Sequence, residues 1–292
     1  MINAIAIFFA EKVEPLIFSL RRSRRLQEFH IDDVSALSSV QLALGEPCRL
    51  GRLCERLIRL YRRYYARYAQ RAQDGRLFLR GGIAAVLSLD DFSDFAMYRA
   101  SVGKKASFFA RKAKKAAQMG YSVRVFNRAN HTPDLMDIRK SMKFRAFGPV
   151  LDAFFLTLKS MGGAPAKFRP VRPPDCQTHW EICLGVFLDC PGYAQGGVVV
   201  DTRLVAYVRL HRVGNLVRYT DFMGHREHLP NGVMMLLQME IVRWLMREGD
   251  ATVAGIRFVT YGAIEQGSLG LLFWKRKALF RPVLLELPYA EI

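Results

Sequence analysis

The sequence lacks the close cysteine pairs that mark zinc-binding motifs. It contains five cysteines, an odd number, which argues against a fully paired disulfide framework. Cys176, Cys183 and Cys190 recur every seven residues, and Cys48 and Cys54 are no closer to a ligand pair. The cysteines are therefore expected to be mostly buried thiols in a reducing cytoplasm, and no metal is expected.

Long apolar runs are also missing. The first one, residues 2–10, is too short to span a bilayer and ends at Glu11 and Lys12. A secretory signal carries its positive charge first, whereas the basic cluster Arg21–Arg25 follows the apolar residues. The expectation is a cytoplasmic protein whose residues 1–25 form a helix. That helix either packs on the main domain or makes a peripheral contact at the inner face of the membrane.

Acidic residues are scarce. The chain has 26 Asp and Glu against 44 Lys and Arg, a formal net charge of +18. This excess favours a polyanionic partner such as nucleic acid, anionic lipid headgroups or a phosphorylated substrate. The alternative is a basic surface that only keeps the protein soluble. No internal repeat or low-complexity segment is evident, and no Ser or Cys lies in a recognisable nucleophile motif.

The 292 residues, 51% of them hydrophobic, suffice for one large domain or two small ones. Residues 1–75 are expected to form a basic, helical extension, and residues 76–292 the main domain, with its core from about residue 120. From Cys48 to Arg71 the sequence interleaves eight arginines with leucines and tyrosines. This pattern fits phosphate binding and base stacking, but it fits better an amphipathic helix with tyrosines inside and arginines in water.

Periodicity and turn residues predict the remaining elements. The first half is expected to contain a Gly-Gly hairpin at 76–89, a helix from Phe92 capped by Asp90-Asp91, a basic segment Lys104–Lys115, a strand at 121–126 and helices at 132–145 and about 150–161. A proline-rich loop at 164–175 leads to strands at 179–188, 197–201, 204–212 and 215–223, with a turn at 213–215. The chain then continues with a long helix opened by Asn231-Gly232, a strand ending at Tyr261-Gly262 and a short basic helix.

Three stretches resemble a known acyltransferase superfamily. They are the basic helix, Gly and strand ARKAKKAAQMGYSVRVF, the long helix GVMMLLQMEIVRWLMREG, and the ending YGAIEQGSLGLLFWKRKALF. In this order they resemble the GCN5-related N-acetyltransferase (GNAT) superfamily, and within it the FemABX-like peptidoglycan aminoacyltransferases and the acetyltransferase-like proteins of polysaccharide gene clusters. The resemblance covers roughly residues 76–292 and implies an α/β (α+β) fold with a mixed, mostly antiparallel sheet flanked by helices.

The resemblance also implies direct transfer from acyl-CoA or aminoacyl-tRNA, without a covalent enzyme intermediate. One feature departs from the superfamily pattern. The acetyl-CoA loop usually reads Gln/Arg-x-x-Gly-x-Gly/Ala, whereas this chain has GHREHLPNGV, with one Gly near the helix start. This departure moves the expectation toward an aminoacyl-tRNA donor, and it leaves a degenerate fold without a donor site as a further alternative.

Candidate site residues fall into three groups. The catalytic candidates are the acid, base and electrophile side chains at two strand ends, namely Asp221, His225, His228, Tyr261 and Glu265. The donor-binding candidates surround the start of the long helix, whose N–H groups suit an anion: Gly224, Asn231, Gly232 and Val233. The anion-binding candidates form a basic wall with one aromatic: Lys104, Lys105, Arg111, Lys112, Lys115, Trp274, Lys275 and Arg276. For each group a purely structural role is the competing interpretation.

The sequence thus favours an acyltransferase that moves an acyl or aminoacyl group to an amine or hydroxyl of an anionic small-molecule or lipid-linked acceptor. Modification of a cell-surface polysaccharide, peptidoglycan or lipid would suit the basic surface. The alternative is a non-catalytic basic module that binds RNA, such as tRNA, or an anionic membrane.

Overall fold

The computed structural model describes residues 31, 33–46, 52–72, 74–78, 81–142, 144–145, 148–149, 156–267 and 269–287. The expected membrane contact at residues 1–25, the thiol of Cys48 and the first half of the helix expected at about 150–161 lie outside these residues. Within the described part of the chain, no helix combines the length and apolar character needed to cross a membrane.

Strands alternate with helices along the chain. The strands are β1 (Ser39–Gln41), β2 (Gln70–Arg71), β3 (Leu77–Phe78), β4 (Ala84–Ser88), β5 (Tyr121–Val125), β6 (Phe144–Arg145), β7 (Gly148–Pro149), β8 (His179–Asp189), β9 (Ala194–Gln195), β10 (Val198–Val199), β11 (Thr202–Val213), β12 (Leu216–Gly224), β13 (Phe258–Ala263) and β14 (Arg281–Glu286). The α-helices are α1 (Arg52–Tyr65), α2 (Phe95–Lys105), α3 (Ser107–Gln118), α4 (Thr132–Lys140), α5 (Val233–Leu245) and α6 (Leu269–Lys277).

Among the described residues, ten strands form one sheet in the order β3-β2-β14-β4-β13-β12-β11-β8-β5, with β1 paired to β14 outside this path. Most pairs are antiparallel, while β12–β13, β1–β14 and β2–β14 are parallel. The expected fold class, a mixed and mostly antiparallel sheet flanked by helices, is confirmed by this topology.

The turn between β11 and β12 determines the geometry of the central hairpin. Val213-Gly214-Asn215 joins β11 to β12, as the sequence predicts, and Gly214 has a φ of +61°. A Cβ at Gly214 would lie 1.9 Å from the carbonyl oxygen of Ala43, so only glycine fits both the backbone angle and the neighbour. The turn therefore fixes the hairpin and docks the segment before α1 on it.

The sheet carries a helical layer on each face. Helices α2, α3 and α5 bury apolar side chains such as Val102, Phe109 and Leu237 against one face. The other face carries two separate helices. Helix α1 packs over one half of it through Leu57 and Tyr61, and α4 packs over the other half. Because α1 and α4 cover different halves, polar side chains of the central strands lie between them.

Some boundaries differ from the sequence predictions. The helix expected near Phe92 begins at Phe95, because the Asp94 carboxylate accepts a hydrogen bond from the Met97 N–H at 2.7 Å and caps it. Asp90 and Asp91 instead form ion pairs with arginines of other segments. The basic segment Lys104–Lys115 is divided between α2 and α3 at Ala106. The helix expected over 132–145 ends at Lys140.

The region expected to be a helical extension also contributes strands. Helix α1 is amphipathic, with buried Tyr61 and Tyr65 and exposed arginines on its other side, as the amphipathic interpretation predicts. Strands β1 and β2, however, join the main sheet beside β14. Such two- and three-residue strands are too short to produce a periodic sequence signal.

Candidate active site

The two parallel strands at the centre of the sheet separate partway along their length. Their paired residues run from Leu216 opposite Phe258 to Arg218 opposite Thr260. Beyond these pairs β12 continues to Gly224, still bonded to β11 on its other side. Among the described residues, its edge facing β13 therefore has no paired strand beyond Arg218, and backbone N–H and C=O groups along such an edge require other partners.

Both strands carry a bulge at the point of separation. Along β12, Tyr219 opposes Leu210 and Phe222 opposes Val208, so Thr220 and Asp221 together face the single residue Arg209. Along β13, Thr260 and Ala263 oppose residues of β4 that are only two apart, Val86 and Ala84. Gly262 has a φ of +63° in this second bulge. Bulges bend strands and redirect side chains, and they are frequent beside active sites.

The bulge of β12 places Asp221 on the face that α1 and α4 cover in part. Its carboxylate lies 3.2 Å from the Arg139 guanidinium of α4, and the Asp221 side chain remains 28% exposed. The Arg139 Nε donates to the Tyr207 hydroxyl at 3.0 Å. Asp221 is thus a partly accessible carboxylate held by a cation from a neighbouring layer.

Charged side chains continue from Asp221 across the neighbouring strands. Arg209 donates two hydrogen bonds, of 2.7 and 2.6 Å, to the carboxylate of Glu181. A Glu181 oxygen also lies 3.3 Å from His211 Nε2, and His211 Nδ1 lies 2.6 Å from the Tyr61 hydroxyl. Burial raises the pKa of Glu181, but the bonds from His211 and Arg209 outweigh it and lower that pKa to about 2. We call Glu181, Arg209, Asp221 and Arg139 the polar strip.

A further arginine, Arg218, lies under α1 next to the polar strip. The Arg218 guanidinium carbon lies 3.5 Å from the Tyr64 ring centroid, a close cation–π contact. Its Nε is buried and has no hydrogen-bond partner among the described residues. The Tyr65 hydroxyl bonds Thr260 Oγ1 at 2.5 Å, at the last paired position of β13. The tyrosines of α1 therefore cover the polar strip at the end nearest the separation.

The opposite face of the separation is aromatic. Phe222 of β12 and Tyr261 of β13 have ring centroids 5.4 Å apart, and Trp274 of α6 lies 5.0 Å from the first and 5.9 Å from the second. Trp274 Nε1 is buried and has no hydrogen-bond partner among the described residues. A buried indole N–H without a partner is costly, and a ligand carbonyl could satisfy it.

Tyr261 lies in β13 and Glu265 just after its end, in the same part of the chain as the carbonyl oxygens that bind Lys275. Lys275 is buried, and its Nζ donates to the carbonyl oxygens of Ala263 and Gln266 at 2.6 and 2.9 Å. The same Nζ lies 5.3 Å from the Tyr261 ring centroid. Glu265 is fully buried and accepts bonds from the Ile83 N–H. Lys275 thus sits inside the protein at the end of β13 and not on the exposed basic surface.

His225 and His228 lie together beyond the end of β12. The Asn231 side chain donates to the Tyr121 hydroxyl, which lies 2.8 Å from His228 Nδ1. This chain of donors makes Nδ1 the acceptor and leaves the proton of the neutral ring on Nε2. Burial, Arg203 and His225 lower the pKa of His228, which favours that neutral form. Nε2 of His225 faces an Asp137 carboxylate oxygen at 3.4 Å.

The donor-binding candidates surround a helix start that is closely packed. Gly232 has a φ of +85°, and a Cβ there would lie 2.7 Å from the Lys112 carbonyl oxygen of α3. A Cβ at Gly224 would lie 2.8 Å from side-chain atoms of Leu229 and Met234. Asn231 is engaged with Tyr121, and Val233 is fully buried. The loop therefore folds on itself and against α3.

The anion-binding candidates come together in part. Lys104, Lys105, Arg111, Lys112 and Lys115 are all exposed on α2 and α3. Lys277 Nζ donates to the Lys105 carbonyl oxygen at 3.1 Å, which joins α6 to this surface. Partial burial, and then the charges of Arg276, Lys277 and Arg281, lower the pKa of Lys105, a sign of concentrated positive charge. We call the exposed cations of α2 and α3 the basic surface.

Sequence reasoning missed four residues of the site: Arg139, Glu181, Arg209 and Arg218. A signal exists for three of them, since each is a charged residue within an otherwise apolar strand. Charges at such positions are costly unless paired, so they commonly mark functional or paired groups. Arg139 carries no comparable signal, because a cation in the last turn of a helix is ordinary.

No protein-family model matches the chain, and no curated protein matches it. Among solved structures, the chain is similar to L-PGS from Bacillus licheniformis, with 16% identity, coverage of 69% of this chain and 57% of that chain, and a TM-score of 0.39. It is also similar to FemX, with 10% identity, coverage of 74% and 62%, and a TM-score of 0.44. A tandem GNAT protein from the clavulanic acid biosynthesis pathway matches with 12% identity, coverage of 85% and 73%, and a TM-score of 0.38.

These similarities concern the fold. The chain spans little more than half (57%) of the length of L-PGS. The names of FemX and of the GNAT protein agree with the resemblance that the sequence predicts. At such identities and TM-scores no residue role passes from one protein to another, so the roles proposed below rest on the geometry of this chain.

Proposed function

We propose that the chain is an acyltransferase whose donor binds where β12 and β13 separate. The observation that carries this proposal is the open edge of β12 after Arg218, with a bulge on each strand at the same level. A long gap between parallel strands in the middle of a sheet leaves backbone N–H and C=O groups without hydrogen bonds to a neighbouring strand. Such a gap is best explained if a ligand supplies the missing partners.

The donor would lie between the strands as an extended chain. Both acyl-CoA and the aminoacyl end of a charged tRNA carry polar groups that can pair with strand backbone, next to an activated carbonyl. The rings of Phe222, Tyr261 and Trp274 would pack against the acyl group, and the Trp274 N–H would donate to an acceptor atom of the donor. Buried Lys275 would add positive charge where the carbonyl oxygen becomes negative.

The acceptor would bind on the opposite face, at the polar strip. Arg218, whose Nε has no hydrogen-bond partner among the described residues, suits an anionic acceptor, and Asp221 is the partly exposed carboxylate in the bulge of β12. The acceptor nitrogen or oxygen would attack the donor carbonyl carbon and pass its proton to Asp221. The bond from the carbonyl carbon to the donor sulfur or ribose oxygen would then break, and this leaving group would take up the proton held by Asp221. No covalent enzyme intermediate is needed.

Donor binding by the purified chain tests the proposal. Calorimetric titration would use acetyl-CoA, longer acyl-CoAs, aminoacyl-tRNA and uncharged tRNA, each at two salt concentrations. Saturable acyl-CoA binding that survives moderate salt supports a coenzyme-dependent enzyme. A preference for charged over uncharged tRNA supports aminoacyl transfer. Equal, salt-sensitive binding of every polyanion contradicts both.

The basic surface favours one alternative, a non-catalytic module for RNA or an anionic membrane. Its exposed cations, together with the net charge of +18, would suffice for binding without chemistry. The two functions differ in their sensitivity to substitution. Asp221→Asn should strongly lower turnover but not binding in an enzyme, whereas it should have no effect on a binding module.

A further inference from the structure

Two thiols and an imidazole meet at the junction between α1 and the main sheet. Cys54 lies on α1, Cys176 lies in the loop before β8, and His179 is the first residue of β8. Cys54 and His179 are buried, and Cys176 is partly buried. The two sulfur atoms and one ring nitrogen all lie within 4.8 Å of one another. We call these three residues the Cys/His cluster.

The ring of His179 is held in one orientation. Its Nε2 lies 2.9 Å from the carbonyl oxygen of Leu44, and a carbonyl oxygen only accepts. Nε2 therefore carries the proton of the neutral ring, and Nδ1 presents a lone pair. A Cβ added at Gly45 would lie 3.3 Å from Nε2, so backbone packs directly on this side of the ring. In metal-binding histidines, one ring nitrogen typically donates its proton to a carbonyl oxygen while the other nitrogen binds the metal.

The distance between donors fits a tetrahedral ion. Cys176 Sγ lies 3.6 Å from His179 Nδ1. A zinc ion with sulfur at about 2.3 Å and nitrogen at about 2.0–2.1 Å would separate these atoms by about 3.6 Å at a tetrahedral angle. The Thr178 hydroxyl lies 3.2 Å from His179 Nδ1 and 3.4 Å from the same sulfur, so an ion bound at Nδ1 would leave this hydroxyl to donate to the thiolate.

We propose that Cys54, Cys176 and His179 bind one Zn²⁺ through two thiolates and a neutral imidazole. Two sulfur ligands and one nitrogen ligand suit a borderline-soft cation and exclude Ca²⁺ or Mg²⁺. Binding forms two Zn–S bonds and one Zn–N bond and releases the two thiol protons to solvent. A water would take the fourth position.

A second set of potential ligands is less suited to a metal. His225, Glu227 and His228 also bring ligand atoms within 4.8 Å of one another. There, however, His228 Nδ1 bonds Tyr121, His225 Nε2 faces Asp137, and the Glu227 side chain is 77% exposed. That set lacks thiols as well. Of these two sets, it is the Cys/His cluster that combines soft ligands, burial and an imidazole ring held in one orientation.

The proposed ion would fasten α1 to the sheet, because one ligand lies on α1 and the other two lie at the start of β8. Helix α1 also carries Tyr61, whose hydroxyl bonds His211 next to the polar strip. The site is therefore structural, and it does not depend on the proposed acyltransferase function. Loss of the ion would loosen α1 and the wall that α1 forms beside Arg218 and Arg209.

Metal content and a cobalt spectrum test the proposal on the full chain. Purified protein is expected to contain one zinc per chain by plasma emission spectrometry. Protein stripped of metal under reducing conditions should take up one Co²⁺. The product should show a thiolate charge-transfer band and the visible bands of tetrahedral cobalt. Cys176→Ser, Cys54→Ser and His179→Gln should each weaken Co²⁺ binding at least 100-fold.

Cys183→Ser provides the control, since Cys183 is also a buried thiol but lies in the middle of β8, outside the cluster. It should keep one equivalent of metal. Circular dichroism would verify folding, and Cys176→Ser, in a loop, decides the matter if either buried substitution prevents folding. The proposal fails if cobalt uptake is absent or unchanged by Cys176→Ser. It also fails if mass spectrometry shows a Cys54–Cys176 disulfide in place of metal.

Discussion

The carboxylate of Asp221 lies 3.2 Å from the guanidinium of Arg139, and the two residues belong to different layers of the protein. Asp221 sits in the bulge of β12, whereas Arg139 is on helix α4. The bulge turns the carboxylate toward α4, and the ion pair keeps it at the boundary between the polar strip and the open edge of β12. A proton acceptor at this position could reach an acceptor group bound to the strip.

Asp221→Asn should lower kcat by roughly 10²-fold or more while donor affinity and the unfolding temperature stay close to those of the wild type, because general-base groups typically contribute about 10²–10⁴-fold. Steady-state kinetics with the donor identified by titration provides the measurement. Glu240→Gln is the matched control, since Glu240 pairs with Arg243 on α5 away from the strip. Equal turnover of both variants would remove Asp221 from the mechanism.

Trp274→Phe should weaken donor binding but cost less stability than Trp180→Phe. The Trp274 N–H has no hydrogen-bond partner among the described residues, so phenylalanine removes an unsatisfied donor. The Trp180 N–H donates to the Thr252 carbonyl oxygen at 2.9 Å, and its loss should cost about 0.5–1.5 kcal/mol in addition to lost packing, since that oxygen keeps a bond from Arg212. Chemical denaturation and donor titration of both variants measure the two effects. A donor affinity unchanged by Trp274→Phe would contradict the proposed donor position.

The stability of the folded protein in acid should depend on the ionisation of Glu181. Its pKa of about 2 in the folded state lies below the ordinary value of 4.5. A lowered pKa means that the ionised group stabilises the fold above about pH 4.5 and that this contribution is lost as the pH falls toward 2. Glu181→Gln should therefore lower Tm at neutral pH and flatten its decline in acid. A Tm profile parallel to that of the wild type would argue against the bonds with Arg209 and His211.

Gly214→Ala and Gly120→Ala should differ strongly in their effect on unfolding. Both glycines have positive φ angles, so alanine should cost roughly 1–2 kcal/mol at each from backbone strain alone. At Gly120 the new Cβ meets nothing within 4 Å, whereas at Gly214 it meets the Ala43 carbonyl oxygen at 1.9 Å. Urea denaturation should therefore show a substantially larger loss for Gly214→Ala. Similar losses would mean that the segment before α1 does not dock on the β11–β12 turn.

Reversal of three charges on the basic surface should reduce binding of tRNA more than the same change on α1. The first variant combines Lys104→Glu, Arg111→Glu and Lys115→Glu, and the control combines Arg52→Glu, Arg56→Glu and Arg59→Glu. All six side chains are exposed. Because phosphate contacts release counterions, the first variant should also show a smaller salt dependence in fluorescence anisotropy titrations. Equal effects would indicate that net charge alone governs binding.

The main sheet could be predicted from the sequence where long segments alternate between apolar and polar residues or are bounded by clear turn and capping residues. The hairpin around Gly214, the helix after Gly232 and the strand before Ala263 all produce strong local signals, and the structure contains each of them close to its expected bounds. The start of α2 was misplaced by three residues, since Asp90, Asp91 and Asp94 are equally good caps and only tertiary ion pairs distinguish them.

The candidate site was less predictable, because its geometry depends on register. Asp221 was recognised as a polar residue at a strand end, but its contact with Arg139 arises from one extra residue in β12 relative to β11. Single-sequence periodicity cannot detect such a bulge. The Cys/His cluster was missed for a related reason, since Cys54 and His179 come together only after α1 packs on the sheet.

The parallel pairing of β1 with β14 also bears on how the protein is made. Ser39 to Gln41 can join the sheet only after Leu284 to Glu286 have been synthesised, so β1 has no strand to pair with until then. Contacts of such high sequence separation slow folding and leave strand edges exposed in the meantime. The nascent chain would therefore complete this edge of its sheet only after β14 leaves the ribosome.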